Sequence, residues 1–277
     1  MYVSMKEMLN AARRGGYGVA APNINNEDTI RACIEAAVEL DAPIILDTGY
    51  GFIPDAHLAD RIRELANAVD VPIALNLDHG EDFQSIIWAV RAGFTDVMAD
   101  RSQLSFEDNV AEVSEVVKIA HAISMGVEAE LGHVGDATQY DTDRNSALTN
   151  PDEAEEYVKR TNIDFLAVAI GTAHGAYSGT PYLDFPLLAQ LMKKVQIPLV
   201  LHGGSGTGDE NLARACREGI TKINLATDLR QAGMQRCLEG NPKDMTRGLA
   251  LMKEGYKEKL LHYMKLFGSV GKAQNKA

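Results

Sequence analysis

One alternation runs the length of this chain and narrows its possible folds more than any other feature. Short, nearly continuous apolar runs at 18–22, 43–47, 72–77, 96–100, 127–131, 165–170, 198–202 and 221–225 are each followed by a stretch with helical periodicity. Runs this apolar fit strands covered on both faces, as in parallel sheets. Helical patterns fall at about 27–40, 54–69, 82–92, 106–125, 152–161, 185–195 and 209–218, with another at about 229–237. Eight β-then-α units in 277 residues predict an α/β fold of the (β/α)8 TIM-barrel type, in a single domain spanning 1–277. A doubly wound open sheet would carry a Gly-x-Gly-x-x-Gly turn after its first strand, and this chain has none there.

Local signals agree with this reading. Pro43, Pro72 and Pro198 each open a strand, where a missing N–H costs little. Asn150-Pro151-Asp152-Glu153 reads as an N-cap, a proline in the first turn and acids at the positive helix end. An extra C-terminal helix is expected at about 245–267, where Leu249, Met252, Tyr256, Leu260, Tyr263 and Phe267 recur at spacings of three and four. It would cap the barrel or pack on another subunit. The long segment without structure of its own, 132–150, is expected to form a lid on the carboxyl face.

Charge and composition exclude several classes of partner. A formal net charge of −12 opposes nucleic acid, whose phosphates reward Lys/Arg surfaces. No run approaches the roughly 20 apolar residues of a membrane span, and the N-terminus has no secretory pattern. Cys33, Cys216 and Cys237 are scattered without Cys-x-x-Cys spacing, which fits helix packing in a reducing, cytoplasmic setting. An anionic substrate would need a locally positive site, which a metal ion and helix N-termini could supply.

Three histidines end predicted strands: His79 in Asp78-His79-Gly80, His174 in Ala173-His174-Gly175 and His202 in Leu201-His202-Gly203. Carboxyl ends of barrel strands share one face, where the fold builds its chemistry. Three imidazoles converging there make an open metal site, with one position left for substrate. Imidazole suits zinc, although other first-row ions bind such sites. His133, just past the fifth strand, reads either way, whereas His57, His121 and His262 lie in helical stretches and read as surface or packing residues. Asp78 either shuttles a proton to a substrate oxygen or orients a ligand. Glu128 and Glu130 alternate on one strand and so face the same way, Glu130 nearer the carboxyl end and the better candidate for function. Glycine-rich turns follow strands seven (202–208) and eight (from Asn224), the recurring phosphate site of this fold. The Gly175 backbone would add another donor.

Five motifs in order, 77–80, 127–132, 169–175, 201–206 and 222–228, resemble the class II, metal-dependent ketose-bisphosphate aldolases, most closely the short tagatose-bisphosphate and fructose-bisphosphate branch. The similarity runs from Asn23 to Gly271. It implies a TIM barrel in homodimers or homotetramers. It implies a lyase that reversibly cleaves a ketose phosphate into dihydroxyacetone phosphate and an aldehyde through a metal-stabilised enediolate. By resemblance, His79, His174 and His202 are zinc ligands. Asp78 is the proton donor to the aldehyde oxygen, and Glu130 can approach the metal. Gly175, Gly203, Gly204, Ser205, Asn224, Leu225, Ala226 and Thr227 bind dihydroxyacetone phosphate. Lys222 matches a lysine that metal-dependent members share, so it reads as structural and not as a Schiff-base nucleophile.

The chain departs from the family at substrate-facing positions. The loop glutamate that exchanges a proton with the enediolate is replaced near Thr138 or Gln139, with Asp136, Tyr140 or Asp141 as possible substitutes. A phosphate-binding lysine is lost from Tyr177-Ser178-Gly179, and the family's histidine two before the aspartate is Asn76. Arg101 replaces a glycine after strand four and is expected to bring positive charge to the mouth. The metal chemistry is therefore expected to persist with a different ketose, phosphorylated or free. Two other readings use the same residues: a metal-dependent epimerase or isomerase of a keto sugar, and a non-catalytic sugar-phosphate binder.

Overall fold

A computed structural model describes residues 1–49, 56–135, 148–175, 177, 179 and 181–273. Eight parallel strands follow in sequence: β1 (Val19–Pro22), β2 (Ile44–Gly49), β3 (Ile73–Gly80), β4 (Asp96–Ala99), β5 (Gly126–Leu131), β6 (Phe165–Val168), β7 (Leu199–Leu201) and β8 (Ile220–Leu225). Each strand from β2 onward pairs with the next, and β8 pairs with β1. The ring is nearly closed between β1 and β2, where Asn23 bridges to Asp47 and the Ile24 N–H donates to the Asp47 carbonyl at 2.9 Å. This is the TIM barrel that the alternation predicted.

Helices cover the outside: α2 (Glu27–Glu39), α3 (Ala56–Asn67), α4 (Phe83–Ala92), α5 (Phe106–His121), α6 (Pro151–Thr161), α7 (Phe185–Lys194), α8 (Asp209–Glu218) and α9 (Thr227–Gly240). Their starts follow from local chemistry. Asn26 and Asp82 close capping boxes on α2 and α4, and Asn150 accepts from Asp152 and Glu153 with Pro151 in the first turn of α6. The expected helix at 106–125 stops at His121, because residues 122–125 form a turn that puts Ser124 at φ 62°.

Among the described residues, two helices lie outside the repeat. α1 (Met5–Gly15) precedes β1 and was not predicted, although Ser4 at its N-cap and Gly16 in the left-handed conformation at its C-cap mark both ends. Its apolar face closes the amino end of the barrel: Met5, Met8, Leu9 and Ala12 pack with Val19, Ile45, Ala74, Met98, Phe165 and Val200 from inside the ring. Asp96 ties that helix down, accepting from the Ser4 hydroxyl at 2.7 Å and the Met5 N–H at 2.9 Å. Gly126 makes room for this carboxylate, since a Cβ there would stand 2.2 Å from Asp96 Oδ1.

The second is the expected C-terminal helix, α10 (Met245–Leu266), which packs along α9 and α2. Gly255 allows the close approach, because a Cβ would fall 2.4 Å from the Ala232 carbonyl oxygen. Tyr256 on α10 donates to the Asn23 carbonyl at 3.0 Å, bracing the turn after β1.

The interior is layered. Above the apolar floor, positions 47, 76, 128 and 222 carry Asp, Asn, Glu and Lys, all fully buried. Above these, at the carboxyl ends, stand Asp78, Glu130, His202 and Asn224.

Candidate active site

The three predicted histidines meet at the carboxyl face. Ring centroids are 4.9 Å apart for His79–His174, 4.8 Å for His79–His202 and 5.7 Å for His174–His202. Each offers a ring nitrogen within 4.8 Å of those of the other two. Small adjustments of the rings would bring all three to the roughly 2.0–2.1 Å of a zinc–imidazole bond.

Different local devices aim each ring. His79, the penultimate residue of β3, has φ 49°, a left-handed backbone that a non-glycine residue holds only at a cost of about 1–3 kcal/mol. Its Nδ1 faces Asp100 Oδ2 at 2.7 Å, which leaves Nε2 for the site. Burial disfavours a charge on His79, but the carboxylates of Asp78, Asp100 and Glu130 outweigh it and push its pKa up to about 10. His202, fully buried, faces Glu128 Oε1 through Nε2 at 2.8 Å, leaving Nδ1 toward the cavity. Gly203 at φ 69° lets the two histidine-bearing turns touch, since a Cβ there would lie 2.3 Å from the Ala173 carbonyl oxygen. His174 Nε2 is buried, with no hydrogen-bond partner among the described residues. Burial, then His202 and His79, bring the His174 pKa down to about 4, so the ring is neutral with a free lone pair. An orphaned buried imidazole nitrogen beside two oriented ones is a donor set that fits a divalent cation.

Asp78 lies beside the trio. It accepts from Asn23 Nδ2 at 2.8 Å and Asn224 Nδ2 at 3.0 Å. Burial opposes its charge, but His79, His202 and Lys222 hold its carboxyl well below the usual range, so it is ionised at neutral pH. Glu128 and Glu130 both point inward, as their alternation required. Glu130 Oε1 accepts from the Val134 N–H at 2.8 Å, while its buried Oε2 has no hydrogen-bond partner among the described residues. Glu130 also forms a second potential cation cluster with His79 and Asp100, their ligand atoms again within 4.8 Å of one another.

A cavity of about 420 Å³ opens over these groups. Gly175, Gly203, Gly204, Ser205, Asn224, Ala226 and Thr227 line one side of it. Leu225 does not reach it; its side chain lies in the core and its carbonyl accepts from Asn23 N–H. Ser205 Oγ accepts from the N–H groups of Ala226 and Asp228, joining the turns after β7 and β8. A second pocket of about 280 Å³ shares Asn23, Asp78, His79 and Glu81, and adds Thr48, Ser85 and Arg230.

Other positions correct or extend the sequence reading. Arg101 does not bring charge to the mouth. It is buried, with Nε 2.6 Å from Glu112 and Nη1 donating to the carbonyls of Gly80 and Asp100 at 2.8 and 2.7 Å. Glu112 and the two carbonyls draw the guanidinium inward although its Nη2 has no hydrogen-bond partner among the described residues, and sequence spacing does not distinguish this from a place at the rim. Lys222 is fully buried and ion-paired with Glu128 at 2.9 Å and Asp47 at 3.3 Å. Burial would lower its pKa, but the two carboxylates drive it upward, so it remains an ammonium and no nucleophile. His133 lines the cavity, its Nδ1 3.0 Å from Ser102 Oγ. Glu81 and Gln103 also line it, and no motif marked them. Asp136, Thr138, Gln139, Tyr140, Asp141 and Ser178 lie outside the described residues.

Known proteins resemble the chain over its whole length. The family described as fructose-bisphosphate aldolase class-II matches residues 3–272. A fructose-bisphosphate aldolase of Thermus caldophilus is 41% identical over 99% of this chain and 100% of its own length. The D-tagatose-1,6-bisphosphate aldolase subunit GatY of Klebsiella oxytoca is 42% identical over 87% of each chain. The crystal structure of the YdjI aldolase from Escherichia coli K12 superposes with a TM-score of 0.90, at 34% identity over 99% of this chain and 100% of the other.

Proposed function

Because the chain belongs to the class II fructose-bisphosphate aldolase family, metal-dependent lyases of sugar phosphates, we propose that it is a zinc aldolase. It reversibly cleaves a ketose phosphate into dihydroxyacetone phosphate and an aldehyde. The observation that carries this reading is the convergence of the His79, His174 and His202 ring nitrogens within 4.8 Å of one another. They face a cavity that also holds Asp78 and the glycine-rich turns.

His79, His174 and His202 would hold the ion. A zinc ion held there would supply Lewis-acid polarisation of a substrate carbonyl. The chain's own groups do the rest. Gly175, Gly203, Ser205 and Thr227 on the cavity wall are the positions to receive a terminal phosphate, the Gly204 and Ala226 N–H groups being used by the Asn224 carbonyl and Ser205 Oγ. Asp78, ionised and held by Asn23 and Asn224, takes the proton from the hydroxyl that becomes the aldehyde and returns it in condensation. Glu130, whose buried Oε2 has no hydrogen-bond partner among the described residues, would offer a further oxygen donor to that ion.

The second pocket mixes Glu81, Asp82 and Arg230 with the hydroxyls of Thr48 and Ser85. A mixed-charge, hydroxyl-rich wall suits a polyhydroxylated aldehyde half. The missing lysine at Ser178 removes a contact worth about 1.5–3 kcal/mol to an anion, and Arg101 does not replace it. Ketose monophosphates are therefore the substrates to place beside bisphosphates. The buried, unpaired cysteines fit the cytoplasm. Exposed Met234, Leu238, Met245 and Leu249 on α9 and α10 fit burial in a homodimer or homotetramer. Among the described residues no helix is long and apolar enough to cross a membrane.

The test is a screen of ketose monophosphates, bisphosphates and free ketoses with zinc-loaded protein, trapping the aldehyde released. Cleavage of a phosphorylated ketose supports the proposal. Exchange or epimer formation with no carbon–carbon cleavage of any ketose would favour the isomerase reading instead.

A further inference from the structure

We propose that Glu128 and Lys222 are positioning residues for the metal site, their ion pair dictating which nitrogen of His202 faces the ion. The inference rests on the reading of His79, His174 and His202 as ligands.

Its starting point is a layer of the barrel that packing alone does not explain. Barrel interiors are ordinarily filled by branched apolar side chains. Here Asp47, Asn76, Glu128 and Lys222 occupy the layer beneath the histidines, each with no exposure to solvent. Burying such an ion pair costs several kcal/mol in desolvation, and apolar groups of similar volume are often as stable or more so. A role beyond stability is therefore the better account of it.

Geometry supplies that role. Glu128 uses both oxygens: Oε2 accepts from Lys222 Nζ at 2.9 Å, and Oε1 lies 2.8 Å from His202 Nε2. An ionised carboxylate only accepts, so Nε2 carries the proton and the lone pair is on Nδ1. Nδ1 is the nitrogen on the cavity side, 3.4 Å from Asn224 Nδ2 and 4.0 Å from Asp78 Oδ1. Asn224 Nδ2 is already engaged with Asp78 at 3.0 Å. Lys222 keeps Glu128 ionised in a dry environment, and Asp47, 3.3 Å from Nζ and itself held by Asn76 at 2.9 Å, fixes the ammonium. The chain from Asp47 to Lys222 to Glu128 to His202 thus sets a tautomer from below the site, without touching substrate.

A conservative change makes this testable. In Glu128→Gln the single amide oxygen is claimed by the Lys222 ammonium, which can only donate. The amide nitrogen then faces His202 Nε2 and forces the proton onto Nδ1. Removing Lys222 as well frees the amide to turn its oxygen to Nε2 and restores the original tautomer. The experiment measures zinc affinity by competition with a chromophoric chelator for the unsubstituted protein, E128Q and E128Q/K222M. Thermal melting of the metal-free forms reports folding. E128Q is expected to bind zinc about 10–100-fold more weakly, the scale of lost partners behind a metal ligand, and the double variant more tightly than E128Q. A purely structural role for the pair gives no such recovery.

Unchanged affinity in E128Q, or a double variant weaker than E128Q, would overturn the proposal. If a variant does not fold, nitrogen-15 NMR of the zinc-loaded unsubstituted protein decides. His202 is expected to be protonated at Nε2 and coordinated through Nδ1, and the opposite assignment refutes the inference. Failure of the unsubstituted protein to bind zinc at all would instead refute the metal reading beneath it.

Discussion

His79 Nδ1 lies 2.7 Å from Asp100 Oδ2, and the other carboxylate oxygen is held by the Ser102 hydroxyl at 2.8 Å and the Ser102 N–H at 3.0 Å. The carboxylate is locked before it locks the ring, so Nδ1 keeps its proton and Nε2 is the nitrogen that gives up its own when a cation binds. Replacing Asp100 with Ala should weaken zinc binding by about 10–100-fold. Zinc retained after dialysis against graded chelator measures it. The fold should persist, because Asp100 is at the site's edge and not in the apolar core.

Asp78 and Asp100 both line the cavity, but Asp78 is held by the side-chain amides of Asn23 and Asn224. Converting it to Asn keeps the volume and removes the proton acceptor. Cleavage should fall by about 10²–10⁴-fold, the usual contribution of a positioned acid or base, while zinc content stays near that of the unsubstituted protein. Metal analysis alongside single-turnover cleavage checks both halves. A variant with normal turnover would remove Asp78 from the mechanism.

Much of this site could be read from the chain because barrel geometry converts sequence position into spatial position. A histidine at or beyond the carboxyl end of each of β3, β6 and β7 falls on one face, however far apart the three lie in sequence. What sequence could not show was direction within that face. Arg101 sits beside Asp100 yet turns inward to the Gly80 carbonyl, a choice made by hydrogen-bond supply from another strand. The α1 helix was missed because its function is to plug the barrel floor, and a helix before the first strand breaks no repeat. Strand ends were misplaced at β6, which stops at Val168 although the apolar run continues to Ile170. Ile170 is buried in the core all the same, so hydrophobicity reported burial and not pairing.

Asp96 gives the fold a specific pH response. It is fully buried, and burial raises its pKa from an ordinary 3.8 to about 6 despite the bonds from Ser4 and Met5. The folded form therefore binds this proton more tightly than the unfolded chain does. Stability from this group is fully present below about pH 4 and is lost as pH rises through about 6, a span of about 3 kcal/mol. Asp96→Asn should cancel that slope. Urea unfolding between pH 4 and 7 should show the variant gaining on the unsubstituted protein as pH rises. Parallel curves would contradict the assignment.

Lys222 marks the boundary with the other way of making an aldolase. A Schiff-base lysine must lose its proton to attack a carbonyl, and this one is pinned between Glu128 and Asp47 with no exposure. Borohydride added with a ketose phosphate should leave the protein's mass unchanged and its activity intact. A stable adduct on Lys222 would show that the carboxylates release it.

The most direct measurement is the cleavage rate of metal-stripped protein titrated with zinc, using the best phosphorylated ketose from the screen. The rate should be negligible without metal, rise in proportion to zinc and level off at one equivalent per chain, and His174→Ala should stay flat. Full cleavage by the metal-stripped protein, or an unchanged titration in His174→Ala, would contradict the claim that these three imidazoles hold the ion that drives the reaction.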